Sequence, residues 1–217
     1  MNGFLTFVSE HHTEIMRAFS QHLLLVAISV GIGFLIALPL GIVLSRHKGS
    51  AKYVLAATGT LQTIPGLVML GFARYFLGIG MFPAVVILAI YAILPILRNT
   101  YTGITEVDAS YVDAARGLGM SDMQILFRVQ LPLATASIVS GLRMSVVYII
   151  SWATIACLIG AGGLGDLIWT GLGTYSQNYI YAGAIPAALL ALVASLLIGL
   201  MQNAVTPRGI RRAGKAK

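Results

Sequence analysis

Long, uninterrupted apolar stretches are the feature that most constrains this chain. No charged side chain lies within residues 23–44, 54–73, 84–97, 144–158 or 179–201. About twenty apolar residues in a helix cover the hydrocarbon core of a membrane, whereas the strands of a membrane barrel alternate polar and apolar side chains. Only 10% of the residues are charged, against roughly 25% in soluble proteins. The sequence therefore predicts an all-α membrane protein with about five transmembrane helices.

The two ends of the chain differ in character from the transmembrane domain, which is predicted over residues 22–207. Residues 1–21 mix phenylalanine, leucine and isoleucine with histidine, glutamate and arginine. That mixture is typical of an amphipathic helix lying at the membrane interface. Residues 208–217 are rich in lysine and arginine and are predicted to form a basic cytoplasmic tail.

Glycine and proline predict interruptions within the transmembrane domain. Pro65 and Gly66 should kink or unwind the second span, since proline removes a helical hydrogen bond. The run Gly160–Asp166 contains too many glycines to remain a regular helix. We expect residues 169–178, which follow it, to form a re-entrant or surface loop before the last span.

Basic side chains are divided unevenly between the two ends of the predicted spans. With the N-terminus outside, only Arg17 and Arg74 lie on the outer side, against eleven on the inner side. Those eleven are Arg46, Lys48, Lys52, Arg98, Arg116, Arg128, Arg208, Arg211, Arg212, Lys215 and Lys217. Such an excess marks cytoplasmic connections. It predicts a multi-pass protein with the C-terminus and the polar stretch on the cytoplasmic side, and it does not indicate nucleic-acid binding.

The longest polar stretch, residues 98–132, carries signals for two short helices. Asp108 can cap a helix that begins at Ala109, and glycines near residue 119 can end it. Ser121 and Gln124 then fit a capping box that starts a second helix. We expect this helix to run to about residue 129 and to turn into the membrane at Pro132. On these residues alone, a docking element and an ordinary amphipathic surface loop remain equally open.

The same stretch resembles the cytoplasmic signature of ATP-binding-cassette importer permeases. The resemblance lies in Asp113-Ala114-Ala115, in Gly119 and in Val129-x-Leu131-Pro132, where the usual form begins with glutamate and contains isoleucine. Residues 62–65, 94–104 and 160–166 are similar to the branch that imports glycine betaine, carnitine and choline. The resemblance covers about residues 20–207 and implies the type I (MetI-like) fold and a location in the bacterial cytoplasmic (inner) membrane. The ATPase-coupling residues that it implies are Tyr111, Asp113, Ala114, Ala115, Gly119, Met120, Leu131 and Pro132.

The resemblance also implies the partners and the cofactors. Two permease subunits, the same or related chains, would form the pore within membrane lipid. Cytoplasmic ATPase subunits would grip the loop, and an extracytoplasmic solute-binding protein would deliver the solute. The sequence contains no Gly-x-x-x-x-Gly-Lys-Ser/Thr pattern for binding phosphates, so ATP and Mg are expected on the partner ATPase. No cofactor and no metal is expected on this chain, and no enzymatic residue is predicted.

Polar and aromatic side chains within the spans are candidates for the solute passage. They are Gln62, Tyr91, Tyr148, Ser151 and Trp152, with Gly162, Gly163 and Gly165 as a candidate outer gate. Aromatic faces attract quaternary ammonium groups by about 0.5–2 kcal/mol each. Helix packing through serine and threonine hydrogen bonds is the competing interpretation. Arg143, a charge near a span interior, is expected to reach the inner surface or to pair with the polar loop.

Three other functions remain to be weighed against an osmoprotectant importer. The same type of permease can serve an amino acid such as methionine or another small solute. A self-sufficient carrier or channel is less favoured, because proton-coupled carriers need buried acidic groups and the predicted spans contain none. A non-transporting scaffold subunit does not explain the signature from Asp113 to Pro132.

Overall fold

The computed structural model describes residues 2–206, and these are almost entirely helical. The α-helices are α1 (Asn2–Glu10), α2 (His12–Arg46), α3 (Lys48–Thr63), α4 (Gly66–Leu77), α5 (Met81–Thr105), α6 (Ala109–Gly117), α7 (Asp122–Ile125), α8 (Leu131–Ala156), α9 (Leu164–Thr174) and α10 (Gln177–Val205). A π-helical turn, Leu126–Gln130, joins α7 to α8, and a 3₁₀ turn, Cys157–Ile159, follows α8. The predicted basic tail, 208–217, lies outside the described residues.

Five membrane crossings can be built from these helices, which is the number that the sequence predicts. Four are unbroken helices long and apolar enough to span: His12–Arg46, Met81–Thr105, Asp122–Ile159 and Gln177–Val205. The fifth is a bent pair, Gly49–Thr63 and Gly66–Leu77, whose axes meet at 90°. The predicted interruption at Pro65 is thus confirmed, and it takes the form of a right-angled break.

Helices α2, α5 and α8 form the centre of the bundle, and small residues set their spacing. A Cβ atom on Gly33 or on Gly41 of α2 would lie 2.7 Å from a side-chain atom of α5, at Ala92 and at Thr100 respectively. On Gly141 of α8 it would lie 2.6 Å from Asn99. Such close approach of backbones is the usual way in which membrane helices pack. These contacts make α2 and α5 parallel and α8 antiparallel to both.

The bundle has one well-buried centre and one uncovered helix. Leu25, Leu88 and Ile149, from the three central helices, are almost fully buried. By contrast, only 6% of the apolar window of α10 is buried within the chain. Because α10 is antiparallel to α8, its C-terminal end lies on the same side as the polar loop. That side is called the elbow side below.

The first transmembrane helix extends further toward the N-terminus than the sequence predicts. Residues 12–21, expected to belong to a separate interfacial helix, continue directly into the span as part of α2. Ala18 and His22 are buried, and Ala18 packs in a cluster with Leu164 and Leu167 of α9. This contact with a distant part of the chain extends the helix. The separate segment is only α1, and its placement at the interface stays a prediction.

The expected turn into the membrane at Pro132 is wrong, because the helix runs unbroken from Asp122 to Ile159. A proline in a helix clashes with the carbonyl four residues before it, here that of Arg128. The π-helical turn widens the helix at this point, and the Leu131 amide bonds Leu126 five residues earlier. The wider turn accommodates the proline, and the helix continues through it.

Two further stretches expected to be irregular are helical. Residues 98–105 complete α5, where Thr100 and Ile104 are buried, so the connection itself begins at Glu106. Residues 169–174, expected to form a loop, belong to α9, which ends when Tyr175 takes a left-handed conformation with φ 57°. In both places packing against neighbouring helices stabilises a helix that the local residue pattern does not signal.

Candidate functional site

The connection between α5 and α8 forms a stiff elbow, defined here as residues 108–130. The Asp108 carboxylate accepts a hydrogen bond from the Ser110 amide at 2.8 Å and caps α6, as predicted. The same hydrogen bond lowers the pKa of Asp108. At the other end Gly119 has φ 79°, and the Met120 amide bonds the Ala115 carbonyl at 3.1 Å. This arrangement closes the helix with its last carbonyls satisfied.

The second helix of the elbow starts at the predicted capping box. The Ser121 amide donates to the Gln124 side chain at 2.9 Å, and the Gln124 amide donates to the Ser121 hydroxyl at 3.4 Å. Because α7 continues through the π-helical turn into α8, the elbow is joined rigidly to a membrane span. A force applied to α6 or α7 therefore reaches the centre of the bundle through a continuous helix.

One arginine connects the two elbow helices. Arg116 lies 3.8 Å from Asp113 and 3.6 Å from Asp122, and all three side chains are largely exposed. Exposed ion pairs contribute about 0–1 kcal/mol each, so they orient the helices more than they stabilise them. Arg46, at the end of α2, also donates to the Asp122 carbonyl. Asp113, predicted to offer its charge to a partner, is thus already paired within the chain.

The predicted coupling residues lie on different sides of the elbow. Tyr111, Asp113 and Ala114 are exposed on α6, and Gly119 and Pro132 are exposed as well. Ala115 is buried, with only 4% of its surface accessible. Met120 is half-buried, as is Leu131, which packs in the apolar cluster of Ile104, Leu126 and Ala134. The outward surface can contact a partner, while Ala115 is buried and Leu131 packs near Ile104 of α5.

The sequence analysis missed exposed apolar residues next to the predicted ones. Leu118 is 83% exposed, Met123 61% and Phe127 56%, each in a stretch otherwise rich in polar side chains. Large apolar side chains on a soluble surface commonly mark contact sites. The sequence did offer a signal for this surface. Met123 and Phe127 lie in and just after the capping box, where nothing in the local pattern requires an apolar residue.

A second site lies where the broken span meets α5 and α8. The Tyr91 hydroxyl donates to the Ile64 carbonyl at 2.6 Å, which satisfies a backbone group freed by the break. The Tyr91 ring stacks on Trp152, with centroids 5.7 Å apart and planes 23° from parallel. A Cβ atom on Gly66 would lie 2.6 Å from Cη2 of Trp152. Three crossings are therefore fixed to one another at a single point, which we call the break junction.

Some of the predicted passage residues lie at the break junction, and others face away from it. Tyr91 is buried, and Gln62 is an exposed residue beside a cavity of about 220 Å³ that Tyr91 also lines. Tyr148, one turn before Trp152, and Ser151, which directly precedes it, lie on the uncovered face of α8. The Ser151 hydroxyl donates to the Val147 carbonyl of its own helix. The structure thus brings Gln62, Tyr91 and Trp152 together and leaves Tyr148 and Ser151 facing outward.

The hydrogen bond from Tyr91 should contribute measurably to stability. We expect Tyr91→Phe to lower the free energy of unfolding by about 1 kcal/mol, because the partly buried Ile64 carbonyl loses its donor. This corresponds to a melting temperature about 2–4 °C lower, measured by thermal unfolding of the purified protein. Tyr148→Phe is the matched control, since that hydroxyl has no hydrogen bond among the described residues. Equal shifts for the two variants would contradict the assignment.

The glycine run after α8 interrupts the helix as predicted, but only as far as Gly163, since α9 begins at Leu164. Gly160, Gly162 and Gly163 have φ of 78°, 76° and 91°, which other residues rarely adopt. Gly165 has ordinary helical geometry, but a Cβ atom there would lie 3.0 Å from the Cys157 sulfur. The first three glycines are needed for their backbone conformation, and Gly165 is needed because a side chain has no room there. A gate is therefore not needed to explain these glycines.

A polar cavity of about 620 Å³ lies beside this run, on the side of the bundle away from the elbow. Glu14, Arg17 and Gln21 of α2 face Gly162 and Asp166 across it. Gln21 also accepts a hydrogen bond from the Gly163 amide at 3.4 Å. Burial raises the pKa of Asp166, which lies in the first turn of α9 and does not cap it. The cavity therefore carries both signs of charge.

Comparison with known proteins decides the family. Residues 29–211 match the model of the binding-protein-dependent transport system inner membrane component. The chain belongs to this family. It is 42% identical to the carnitine transport permease protein OpuCB of Listeria monocytogenes, over 98% of each chain. It is 40% identical to the glycine betaine/carnitine/choline transport system permease protein OpuCB of Bacillus subtilis, over 97% of each chain.

Solved structures establish the fold independently. An inward-facing MetNI methionine ABC transporter contains a chain that superposes with a TM-score of 0.81, covering 91% of this chain and 99% of that one. The sequence identity is 23%, so this likeness concerns the fold alone. The predicted MetI-like permease fold is confirmed, and the protein is a multi-pass inner-membrane transport component.

Proposed function

We propose that this chain is the permease subunit of an ATP-driven importer for quaternary-ammonium osmoprotectants such as glycine betaine, carnitine and choline. The observation that carries the proposal is the capped, rigid elbow, joined to a central span by a continuous helix. It occurs in a chain about 40% identical to permeases named for these solutes. The chain has no phosphate-binding loop of its own, so its elbow is its means of receiving work.

The partners follow from the same features. Cytoplasmic ATPase subunits, which bind ATP and Mg, contact the exposed elbow residues Tyr111, Ala114 and Leu118. The elbow side faces the cytoplasm, in agreement with the excess of basic residues there. A second permease subunit completes the pore, because five crossings with a tightly packed centre enclose no broad passage. An extracytoplasmic binding protein delivers the solute on the opposite side.

The solute passage is proposed along the uncovered face of α8. Tyr148 is 48% exposed, and Ser151 and Trp152 follow it along the helix. An aromatic face attracts a quaternary ammonium group by about 0.5–2 kcal/mol, which is weak enough to release a solute in transit. Tyr91 and Gly66 act behind Trp152 and set the position of its ring.

An amino-acid substrate is the second candidate, because the methionine transporter shares the fold. Its identity to this chain is only 23%, against about 40% for the osmoprotectant permeases. A proton-coupled carrier is disfavoured, since no acidic side chain lies within the apolar stretches of the spans.

Uptake by the reconstituted complex tests the proposal. The chain is purified with the polypeptides that accompany it and placed in liposomes with ATP inside and the binding protein outside. We expect uptake of labelled glycine betaine, carnitine or choline that stops when ATP is omitted. Labelled methionine is the comparison solute. Uptake of methionine alone would support the second candidate, and uptake without ATP or an ATPase subunit would contradict both.

A further inference from the structure

Arg143 is a charged side chain within the transmembrane part of α8, and it faces α10. Its Nε donates to the Ser195 hydroxyl at 2.8 Å. Its guanidinium lies over Gly199, where a Cβ atom would be 3.5 Å from Nη1. Among the described residues Arg143 has no other hydrogen bond and no ion pair. It does not pair with the polar loop, which was one of the two expectations from the sequence.

No acidic residue of this chain is placed to neutralise Arg143. The chain has seven aspartates and glutamates, and all seven lie at helix ends or in connections. They are Glu10, Glu14, Glu106, Asp108, Asp113, Asp122 and Asp166. A second copy of the chain would bring the same residues at the same depths. A charge at membrane depth is costly without a partner, so a counter-ion from outside this chain is expected.

The position of the guanidinium indicates where that molecule lies. Along α10 the contacts run from Ser195 at Nε to Gly199 at Nη1, so the side chain points toward the elbow side. Gly199 precedes Val205, the last residue of α10, by six residues, or about 9 Å. A long arginine side chain at this depth reaches the level of lipid headgroups.

The seam between α8 and α10 is not closed over, because Arg143, Ser195 and Gly199 are each only partly buried. Gln202 donates to the Ala136 carbonyl at 2.8 Å and closes the seam nearer the elbow. Leu192, Leu196 and Leu200 of α10 are each more than half exposed. These leucines offer an apolar surface for acyl chains beside the charged group.

We propose that Arg143, with Ser195 and Gly199, binds the phosphate group of an anionic phospholipid in the leaflet on the elbow side. The two terminal nitrogens of the guanidinium form a planar fork that matches two phosphate oxygens. The Ser195 hydroxyl holds Nε and orients the fork, and the missing side chain at Gly199 leaves space for the headgroup. Basic pockets between membrane helices are a recognised means of binding lipid headgroups.

Native mass spectrometry of the complex purified from membranes tests this site. Phosphatidylglycerol is added in steps, and the bound lipids are counted for the unmodified complex and for Arg143→Gln. We expect the apparent affinity for the first lipid to fall about tenfold in the variant, since charge-assisted hydrogen bonds are lost. The control is Arg98→Gln, which removes an exposed arginine on the elbow side and should change nothing. Arg143→Lys should retain part of the binding.

Competition and lipid-exchange measurements identify the anion that binds. Inorganic phosphate at millimolar concentration should not displace the lipid, and neither should carnitine, whose carboxylate is the rival ligand. Displacement by either one would overturn the lipid assignment, and equal binding of phosphatidylcholine would overturn the anionic headgroup. Unchanged lipid binding in Arg143→Gln would overturn the site itself.

A second variant covers the case in which Arg143→Gln does not assemble. Gly199→Leu keeps the arginine and fills the space proposed for the headgroup. The first carbon of the new side chain fits at ordinary contact distance from the guanidinium, so assembly should be preserved. We expect a similar loss of lipid binding, and normal binding by this variant would contradict the proposal.

Discussion

Gly66→Ala is expected to reduce solute uptake about tenfold and to lower the melting temperature of the complex. The added methyl group would overlap the Trp152 ring, on which the Tyr91 ring stacks. Overpacking of this kind costs about 1–3 kcal/mol. A rise of about 1.4 kcal/mol in the barrier of the rate-limiting step slows transport about tenfold. Uptake is measured in liposomes, and stability by thermal unfolding.

The helix itself provides the control for this prediction. Gly71 lies in the middle of α4, and a Cβ atom there has no neighbour within 4 Å. Gly71→Ala should therefore keep uptake and, if anything, stabilise the helix. Combining Gly66→Ala with Trp152→Leu should cost little more than Trp152→Leu alone, because the overlapping ring is gone. Additive losses in the double variant would show that Gly66 does not act through Trp152.

Ala114→Glu is expected to abolish ATP-dependent uptake while the permease still folds. Ala114 is exposed between Tyr111 and Leu118, at the proposed contact with the ATPase. An unpaired carboxylate buried in that contact costs about 3 kcal/mol or more, which weakens association about a hundredfold. Co-purification of the ATPase subunit measures the association, and uptake in liposomes measures its consequence.

Ala109→Glu is the matched control on the same helix. Ala109 is also exposed and lies five residues earlier, about 140° around the helix from Ala114. A glutamate in the first turn interacts favourably with the helix dipole, so this variant should fold and bind the ATPase normally. If both variants lose the ATPase, the contact surface is wider than proposed. If neither does, the elbow is not the docking site.

The elbow was predictable because its structure depends on short-range chemistry. The Asp108 cap, the Ser121–Gln124 capping box and the left-handed Gly119 each involve residues at most a few positions apart. Such signals are visible in any sequence. The path beyond them was predicted wrongly at Pro132. A proline normally ends or bends a helix, and nothing local announces the π-helical turn that accommodates it.

The sequence predicted which residues could line the solute passage, but it did not predict how they are arranged. Polar and aromatic side chains within apolar spans pointed to Gln62, Tyr91, Tyr148 and Trp152. Their different roles depend on which helix covers which face. Tyr91 bonds a carbonyl 27 residues earlier in the chain, and Trp152 fills the space over Gly66. Contacts over such separations have no signature in one sequence.

Apolar runs, charge asymmetry and capping residues were enough to predict a membrane protein of about five helices with one stiff polar elbow. These features act locally or through transfer into lipid, and both depend on composition along the chain. The right-angled break, the parallel pairing of α2 with α5, and the isolation of Arg143 against α10 came only from the packed structure. Each is a relation between distant segments, and small differences in close packing decide it.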